Sequence, residues 1–261
     1  GSNYLVETKN CKFLVDCGLH QGRDEAKHDG DDFAYNPADI DAVFLTHAHI
    51  DHSGRLPLLV KRGFKGKIYC SSATCDMLDI LLRDTAHIQQ EDAEWKTLKN
   101  RRRGLPPVKP MFTEQDVDKT LALCKPFPFD ELAELLPGIY VRFREAGHIL
   151  GSAVIETWVS DEDHPDVVKV VFSGDIGQFN SVLVKPPALV EDADFVLIES
   201  TYGDRLHKSL EETRAEFQHE MEQAVKENGK VLIPTFVIDR AQRMLYELRL
   251  LQETHPELKT A

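Results

Sequence analysis

DAVFLT at residues 41–46, followed by HAHIDH at 47–52, is the stretch that decides how the rest of the sequence is interpreted. The first half is an apolar run and predicts a buried strand. The second half places three histidines and one aspartate in a loop that leaves the strand end, where they can share one small volume. Imidazole nitrogens suit zinc, and a carboxylate oxygen can complete a second site. We therefore predict a metal site that includes His47, His49, Asp51 and His52.

Two later segments fit the same plan. GHILGS at 147–152 holds His148 between glycines, where one predicted strand ends and the next begins. SGDIG at 173–177 places Asp175 just after the apolar run VVKVVF. Each pair of residues is a weak signal alone, but a site for two metals needs further ligands from loops at strand ends.

The remaining pattern predicts a mixed α/β fold with a second unit beginning near residue 205. A hairpin is predicted from NYLVE and KFLVD, and a 72–99 helix from an apolar stripe through Met77, Ile80, Leu81 and Ile88. Further strands are predicted at KIYCS, IYVRF, SAVIETWVS, VVKVVFS, FVLIES and KVLIPTF. Shorter helices are predicted at GRLPLLVKRG and at residues 113–124, 209–228 and 239–253.

Composition places limits on the partners. The 261 residues carry a formal net charge of −13, which by itself argues against a nucleic-acid binder. Residues 95–110, however, contain six basic residues and no acidic one. They are either a solvated loop or a contact for backbone phosphates. No apolar stretch is long enough to cross a bilayer. The five cysteines form no CxxC pair, which predicts free thiols in a reducing compartment, and we expect a cytoplasmic protein.

The motifs HAHIDHSGRLP, GHILGSA, FSGDIG and ESTYGDR resemble those of the β-CASP family of nucleases, which have the metallo-β-lactamase fold. GKVLIPTFVIDRAQRMLYEL is similar to the start of the β-CASP domain. The resemblance implies an αββα sandwich at 1–205 and the incomplete start of an inserted β-CASP domain at 206–261. It also implies a hydrolase, in particular a ribonuclease, that acts on RNA as an endonuclease in RNA processing or decay. A homodimer is a further possibility.

The same resemblance assigns roles to individual residues. It implies two zinc ions, with manganese as the alternative metal. The first ion would be held by His47, His49 and His148, and the second by Asp51 and His52. Asp175 would bridge them. Asp16, in LVDCG, would orient a ligand from behind, and Glu199 would orient a histidine further along the family's chain. The catalytic set is thus Asp16, Asp51, Asp175 and Glu199.

The resemblance also leads us to expect a fragment, because the family's later histidine motifs are not found after Asp175. We expect such a chain to bind one metal well, a second poorly, and to cleave RNA slowly. Two other functions stay open. The first is hydrolysis of a small thioester or lactam, and the second is a scaffold role without catalysis, which a metal analysis combined with a nuclease assay would separate.

Overall fold

The computed structural model describes residues 1–20, 33–160 and 166–255, which form two units. The first unit comprises Gly1–Ser181 and Lys185–Glu199. The second comprises Val182–Val184 and the chain from Ser200 onward. Among the described helices, none is both long and apolar enough to span a lipid bilayer.

The first sheet of the first unit has five strands in the order β1-β2-β3-β4-β5. The hairpin of β1 and β2 is antiparallel as predicted, and the other neighbours run parallel. The strands are β1 (Tyr4–Glu7), β2 (Lys12–Val15), β3 (Ala42–Phe44), β4 (Lys67–Cys70) and β5 (Cys124–Pro126).

The second sheet also has five strands, in the order β10-β9-β8-β7-β6. The pairs β6–β7, β7–β8 and β8–β9 are antiparallel, and the pair β9–β10 is parallel. The strands are β6 (Leu132–Leu136), β7 (Ile139–Glu145), β8 (Ala153–Val159), β9 (Val168–Phe172) and β10 (Phe195–Leu197).

Because side chains alternate between the two faces of a strand, the first sheet contributes to a separate hydrophobic core on each face. Phe13 and Val15 on β2 point toward the second sheet and pack with Phe143 and Phe172, whereas Leu14 points to the opposite face. That opposite face is covered by α2 (Leu56–Lys61), α3 (Ser72–Arg101) and α4 (Glu114–Leu121), and α1 (Ile50–Ser53) is a single turn after β3. These layers confirm the predicted α/β class with two facing sheets.

The second unit contains α5 (Leu210–Lys226) and α6 (Arg240–Thr254), which confirm the two predicted helices. Ser209 begins α5 with a capping box completed by Glu212. Arg214 on α5 donates two hydrogen bonds to the carboxylate of Glu247 on α6, at 2.8 and 2.7 Å.

Two predictions about these elements were wrong in whole or in part, and two strands were not predicted. KVLIPTF at 230–236 forms no strand, and Leu232 is 90% exposed, because no neighbouring strand of the described residues supplies hydrogen bonds to it. On α3 the predicted stripe was wrong in part: Met77 and Leu81 pack against the core, but Ile80 and Ile88 are 66% and 52% exposed. The buried face of the helix is Thr74, Leu78, Leu82, Ala86 and Ala93. Strands β5 and β6 were not predicted.

Candidate metal centre

The loop after β3 brings its polar side chains to the edge of the first sheet. Strand β3 is buried throughout, and the short helix α1 begins directly after His49. The Ser53 hydroxyl donates to the carbonyl oxygens of Ala48 and His49 at 2.8 and 3.0 Å, which fixes the turn. His47 and His52 are buried, and His49 and Asp51 are half-buried.

The His148 loop joins β7 to β8 in the second sheet and is held by hydroxyl groups. Ser152 Oγ accepts hydrogen bonds from the backbone N–H groups of His148 and Ile149, at 3.0 and 3.2 Å. The carbonyl oxygen of Gly151 accepts from Ser71 Oγ at 2.7 Å and from Thr74 Oγ1 at 3.0 Å, at the start of α3. The loop is therefore tied to the residues that begin α3, where Ser71 Oγ also caps the helix by accepting from Thr74 N.

Asp175 follows β9 and enters the same space. Gly174, at φ +53°, precedes it in the left-handed region, and a Cβ there would lie 2.8 Å from Thr46 Cβ. The Asp175 Oδ2 atom lies 3.5 Å from His148 Nε2 and 3.9 Å from His47 Nε2. Its Oδ1 atom lies 3.2 Å from His52 Nε2. The two carboxylate oxygens thus face different histidines.

These contacts bring the predicted ligands into one cluster. His47, His49, His148 and Asp175 each offer a donor atom within 4.8 Å of the others. His52 Nε2 faces the other carboxylate oxygen of Asp175 and lies 3.8 Å from Asp51 Oδ2. Two ligand groups that share one aspartate are an arrangement suited to a pair of metal ions.

Asp16 lies behind the cluster and organises it. Its backbone is left-handed at φ +61°, and its buried carboxylate accepts three hydrogen bonds. Thr46 N donates to Oδ1 at 2.8 Å, and Thr46 Oγ1 donates to Oδ2 at 2.9 Å. His52 Nδ1 lies 2.7 Å from the same Oδ2. Nδ1 of His52 thereby carries a proton that it donates to Asp16, and Nε2 points toward Asp175.

The local electrostatics keep two histidines neutral. Burial, then the neighbouring His52, lowers the pKa of His47 well below its usual value. Burial, then His148, lowers the pKa of His49 to about 4. Both imidazoles therefore carry free lone pairs at neutral pH, which metal binding requires.

The pKa of His52 is raised by its carboxylate neighbours, and the pKa of each carboxylate is shifted in turn by burial and by the histidines. Burial lowers the pKa of His52, but its contacts with Asp16 and Asp175 outweigh this and raise the value to about 10. Burial raises the pKa of Asp175, yet the hydrogen bond from His52 and the other histidines bring it below its usual value. Burial raises the pKa of Asp16 despite its hydrogen bonds. The pair of Asp175 and His52 therefore carries opposite charges at neutral pH.

Glu199 lies beside the cluster and contacts backbone. Its Oε1 accepts a hydrogen bond from the N–H of Ile176 at 2.6 Å, and its own N–H donates to Ser173 Oγ at 3.1 Å. Glu199 therefore closes the loop that carries Asp175. Sequence reasoning did not identify Thr46, Ser71, Thr74 or Ser152, whose hydroxyl groups hold the loops. Thr46 and Ser152 lie inside the histidine motifs at 41–52 and 147–152, so the sequence held a signal for these two, whereas Ser71 and Thr74 lie outside them.

Comparisons with known proteins agree with this geometry. Residues 1–235 match the family described as the metallo-beta-lactamase superfamily. The chain is 36% identical over 248 residues to "Ribonuclease TTHA0252" of Thermus thermophilus, covering 95% of this chain and 52% of the relative. It is 32% identical over 246 residues to "RNase J-like protein" of Methanocaldococcus jannaschii, covering 92% and 49%.

A third relative is "Transcription termination factor FttA" of Cenarchaeum symbiosum, 31% identical over 250 residues, covering 92% of this chain and 36% of the relative. The chain therefore spans about half the length, or less, of these curated relatives. The family match and the relatives confirm the resemblance that the motifs indicated.

Proposed function

We propose that this chain, which belongs to the metallo-β-lactamase superfamily, is the metal-binding part of an endonuclease that hydrolyses RNA phosphodiester bonds. The observation that carries the proposal is the cluster of His47, His49, His148 and Asp175, in which the second carboxylate oxygen of Asp175 faces His52. The relatives named as ribonucleases support RNA as the substrate. We also propose a role in RNA processing in the cytoplasm, a reducing compartment that suits the free cysteines of the chain.

The donor set fits two divalent ions, and we propose zinc. Nε2 of His47 is buried and has no hydrogen-bond partner among the described residues, as expected of an atom whose lone pair binds a metal ion. His47, His49 and His148 would hold one ion, and Asp51 and His52 the other. Asp175 would be shared between them. When bound, such ions supply Lewis-acid stabilisation of phosphoryl oxygens and a nucleophilic water at neutral pH.

The residues of the chain orient this site. Asp16 fixes the tautomer of His52 by accepting from His52 Nδ1, and the Thr46 hydroxyl donates to the same carboxylate. Glu199 accepts from Ile176 N and so keeps Asp175 turned toward the histidines. In this proposal Asp51 and Asp175 touch the metals, whereas Asp16 and Glu199 are positioning residues.

The end of α3 is proposed to contact the phosphate backbone. Lys99 lies 3.5 Å from the ring centre of Trp95, which is 56% exposed, and the exposed Arg101, Arg102 and Arg103 follow. Basic residues beside an exposed aromatic ring are the combination that binds single-stranded RNA. We further propose that 1–205 is the metallo-β-lactamase domain, that 206–261 begins the β-CASP domain, and that the protein forms a homodimer.

Asp175→Asn tests the reaction. The purified variant is expected to keep its fold, to lose bound zinc in elemental analysis, and to lose cleavage of a labelled RNA. Asp192→Asn is the matched control, because Asp192 is an exposed aspartate in the same connection between β9 and β10. Equal zinc content and equal cleavage in Asp175→Asn and the wild type would disprove the proposal.

A panel of RNA, lactam and thioester substrates then distinguishes the alternative functions. A circular RNA has no ends, so its cleavage identifies an endonuclease. Cleavage of linear RNA alone would indicate an exonuclease. Turnover of a lactam or thioester without RNA cleavage would favour a small-molecule hydrolase, and bound zinc without any turnover would favour a scaffold.

A further inference from the structure

Two buried hydroxyl groups at the beginning of α3 hold one carbonyl group of the loop that carries His148. Ser71 and Thr74, called the hydroxyl pair below, are 3% and 0% exposed. Both donate to the carbonyl oxygen of Gly151, at 2.7 and 3.0 Å, and Ser71 Oγ also lies 3.0 Å from Thr74 Oγ1. A carbonyl oxygen has two lone pairs, so the hydroxyl pair satisfies it fully.

Gly151 allows the loop to approach the helix this closely. Its backbone is left-handed at φ +77°, and a Cβ there would lie 2.5 Å from Ser71 Oγ and 2.9 Å from Thr74 N. Its carbonyl oxygen contacts the first turn of a 30-residue helix, where the aligned peptide dipoles favour a partial negative charge. Close packing and electrostatics therefore favour the same position of the loop.

Ser152, the next residue, connects this position to His148. Ser152 Oγ accepts from the N–H groups of His148 and Ile149 at 3.0 and 3.2 Å, and Ser152 N donates to the Ile149 carbonyl at 3.0 Å. His148 Nε2 lies 3.2 Å from His49 Nδ1 and 3.5 Å from Asp175 Oδ2. A shift of the loop at Gly151 would therefore move an imidazole nitrogen relative to its neighbours in the cluster.

We propose that Ser71 and Thr74 are positioning residues that set the affinity of the first metal ion through His148. This inference rests on the metal site of the proposed function. Removing a group that holds a metal ligand in place lowers metal affinity by about 10- to 100-fold. Asp16 bonds the imidazole of His52, whereas the hydroxyl pair bonds the backbone of the other loop. The hydroxyl pair should therefore affect the first ion and leave the second unchanged.

Thr74→Val tests this, because valine keeps the shape of threonine and lacks the hydroxyl group. Zinc affinity is measured on the purified chain by competition with a chromophoric chelator. We expect the tighter equivalent to weaken by roughly 10-fold and the weaker one to stay the same. Thr74→Ser restores the hydroxyl group and should bind zinc as the wild type does. Thr120→Val is the matched control, because Thr120 is also 0% exposed and donates to a carbonyl oxygen of its own helix, that of Asp116, at 2.7 Å.

Repeating Thr74→Val in a His148→Ala background separates positioning from a general effect on the fold. If Thr74 acts through His148, the double variant should bind zinc within about twofold of His148→Ala alone, because the shared effect is already lost. A tenfold loss that persists in this background would overturn the proposal. So would unchanged zinc affinity in a folded Thr74→Val protein, or an equal loss in Thr120→Val.

If Thr74→Val does not fold, Ser71→Ala takes its place in the same measurements. Ser209→Ala is then the control, because Ser209 is the N-cap of α5 and its loss also removes a helix cap. All these measurements report zinc binding. A chain that binds zinc but does not cleave RNA would contradict the nuclease proposal and leave this inference intact, whereas a wild type that binds no zinc would overturn both.

Discussion

Asp16→Asn changes a single atom in the residue that orients the metal ligands. Asparagine tolerates the left-handed backbone at φ +61° and has the same shape, so the loop should not move. Thr46 N donates to Oδ1 and Thr46 Oγ1 to Oδ2, while His52 Nδ1 also shares Oδ2. If the amide oxygen keeps the bond from Thr46 N, the amide NH₂ faces His52.

That arrangement forces the wrong tautomer on the histidine. An NH₂ group cannot accept, so His52 Nδ1 must give up its proton and become the acceptor. The proton then resides on Nε2, the nitrogen that lies 3.2 Å from Asp175 Oδ1 and is proposed to bind metal. A lost charge-assisted hydrogen bond is worth about 1.5–3 kcal/mol. The affinity for the second zinc ion should therefore fall by roughly 10- to 100-fold.

Zinc affinity is measured by competition with a chromophoric chelator, resolving the tighter and the weaker equivalent. Asp41→Asn is the control, because Asp41 also accepts a backbone hydrogen bond, from Lys12 N at 2.8 Å, but lies on the surface. Only the weaker equivalent should change in Asp16→Asn. Unchanged affinity for both ions in a folded Asp16→Asn protein would refute the tautomer argument.

Two further substitutions test how close packing and a buried ion pair contribute to stability. In Gly177→Ala the new Cβ would lie 1.6 Å from the Gly147 carbonyl oxygen, so the free energy of unfolding, measured by denaturant melts, should fall by about 3 kcal/mol or more. Gly229→Ala is the control, because its Cβ would meet its nearest atom at 3.5 Å, an ordinary contact distance, and its stability should change little. Glu156 is fully buried and lies 2.7 Å from Lys169 Nζ. Burial raises its pKa, but its basic partners outweigh this and bring the value below 4.5. Its stabilising effect is present above pH 4.5 and is lost as the pH falls through the folded-state pKa. Glu156→Gln should thus be less stable than the wild type at pH 7 and should approach it in acid, and parallel stability curves would contradict this.

The features that could be predicted from the sequence are those that depend on residues close to one another along the chain. The histidine motif follows its strand directly, so its position at a strand end was predictable from residues 41–52 alone. The strand predicted at KVLIPTF failed because apolar, β-branched composition does not supply a hydrogen-bonding neighbour, and Leu232 is left exposed. The stripe predicted on α3 was wrong at Ile80 and Ile88 for a similar reason. Two apolar stripes run along that helix, and only the packed sheet selects the one through Leu78 and Leu82.

The site depends on long-range contacts that no single motif contains. Thr46 makes most of them. Its N–H and hydroxyl hold Asp16, its hydroxyl lies 3.0 Å from His47 Nδ1, and its carbonyl accepts from Ala153 N of the second sheet at 2.8 Å. Gly174 approaches the same side chain so closely that no larger residue fits there. Because one threonine touches the segments that carry ligands from both sheets, the ligand geometry and the packing of the sheets must form together. This is why the histidines and Asp175 can be preorganised in a folded chain although each lies on a loop.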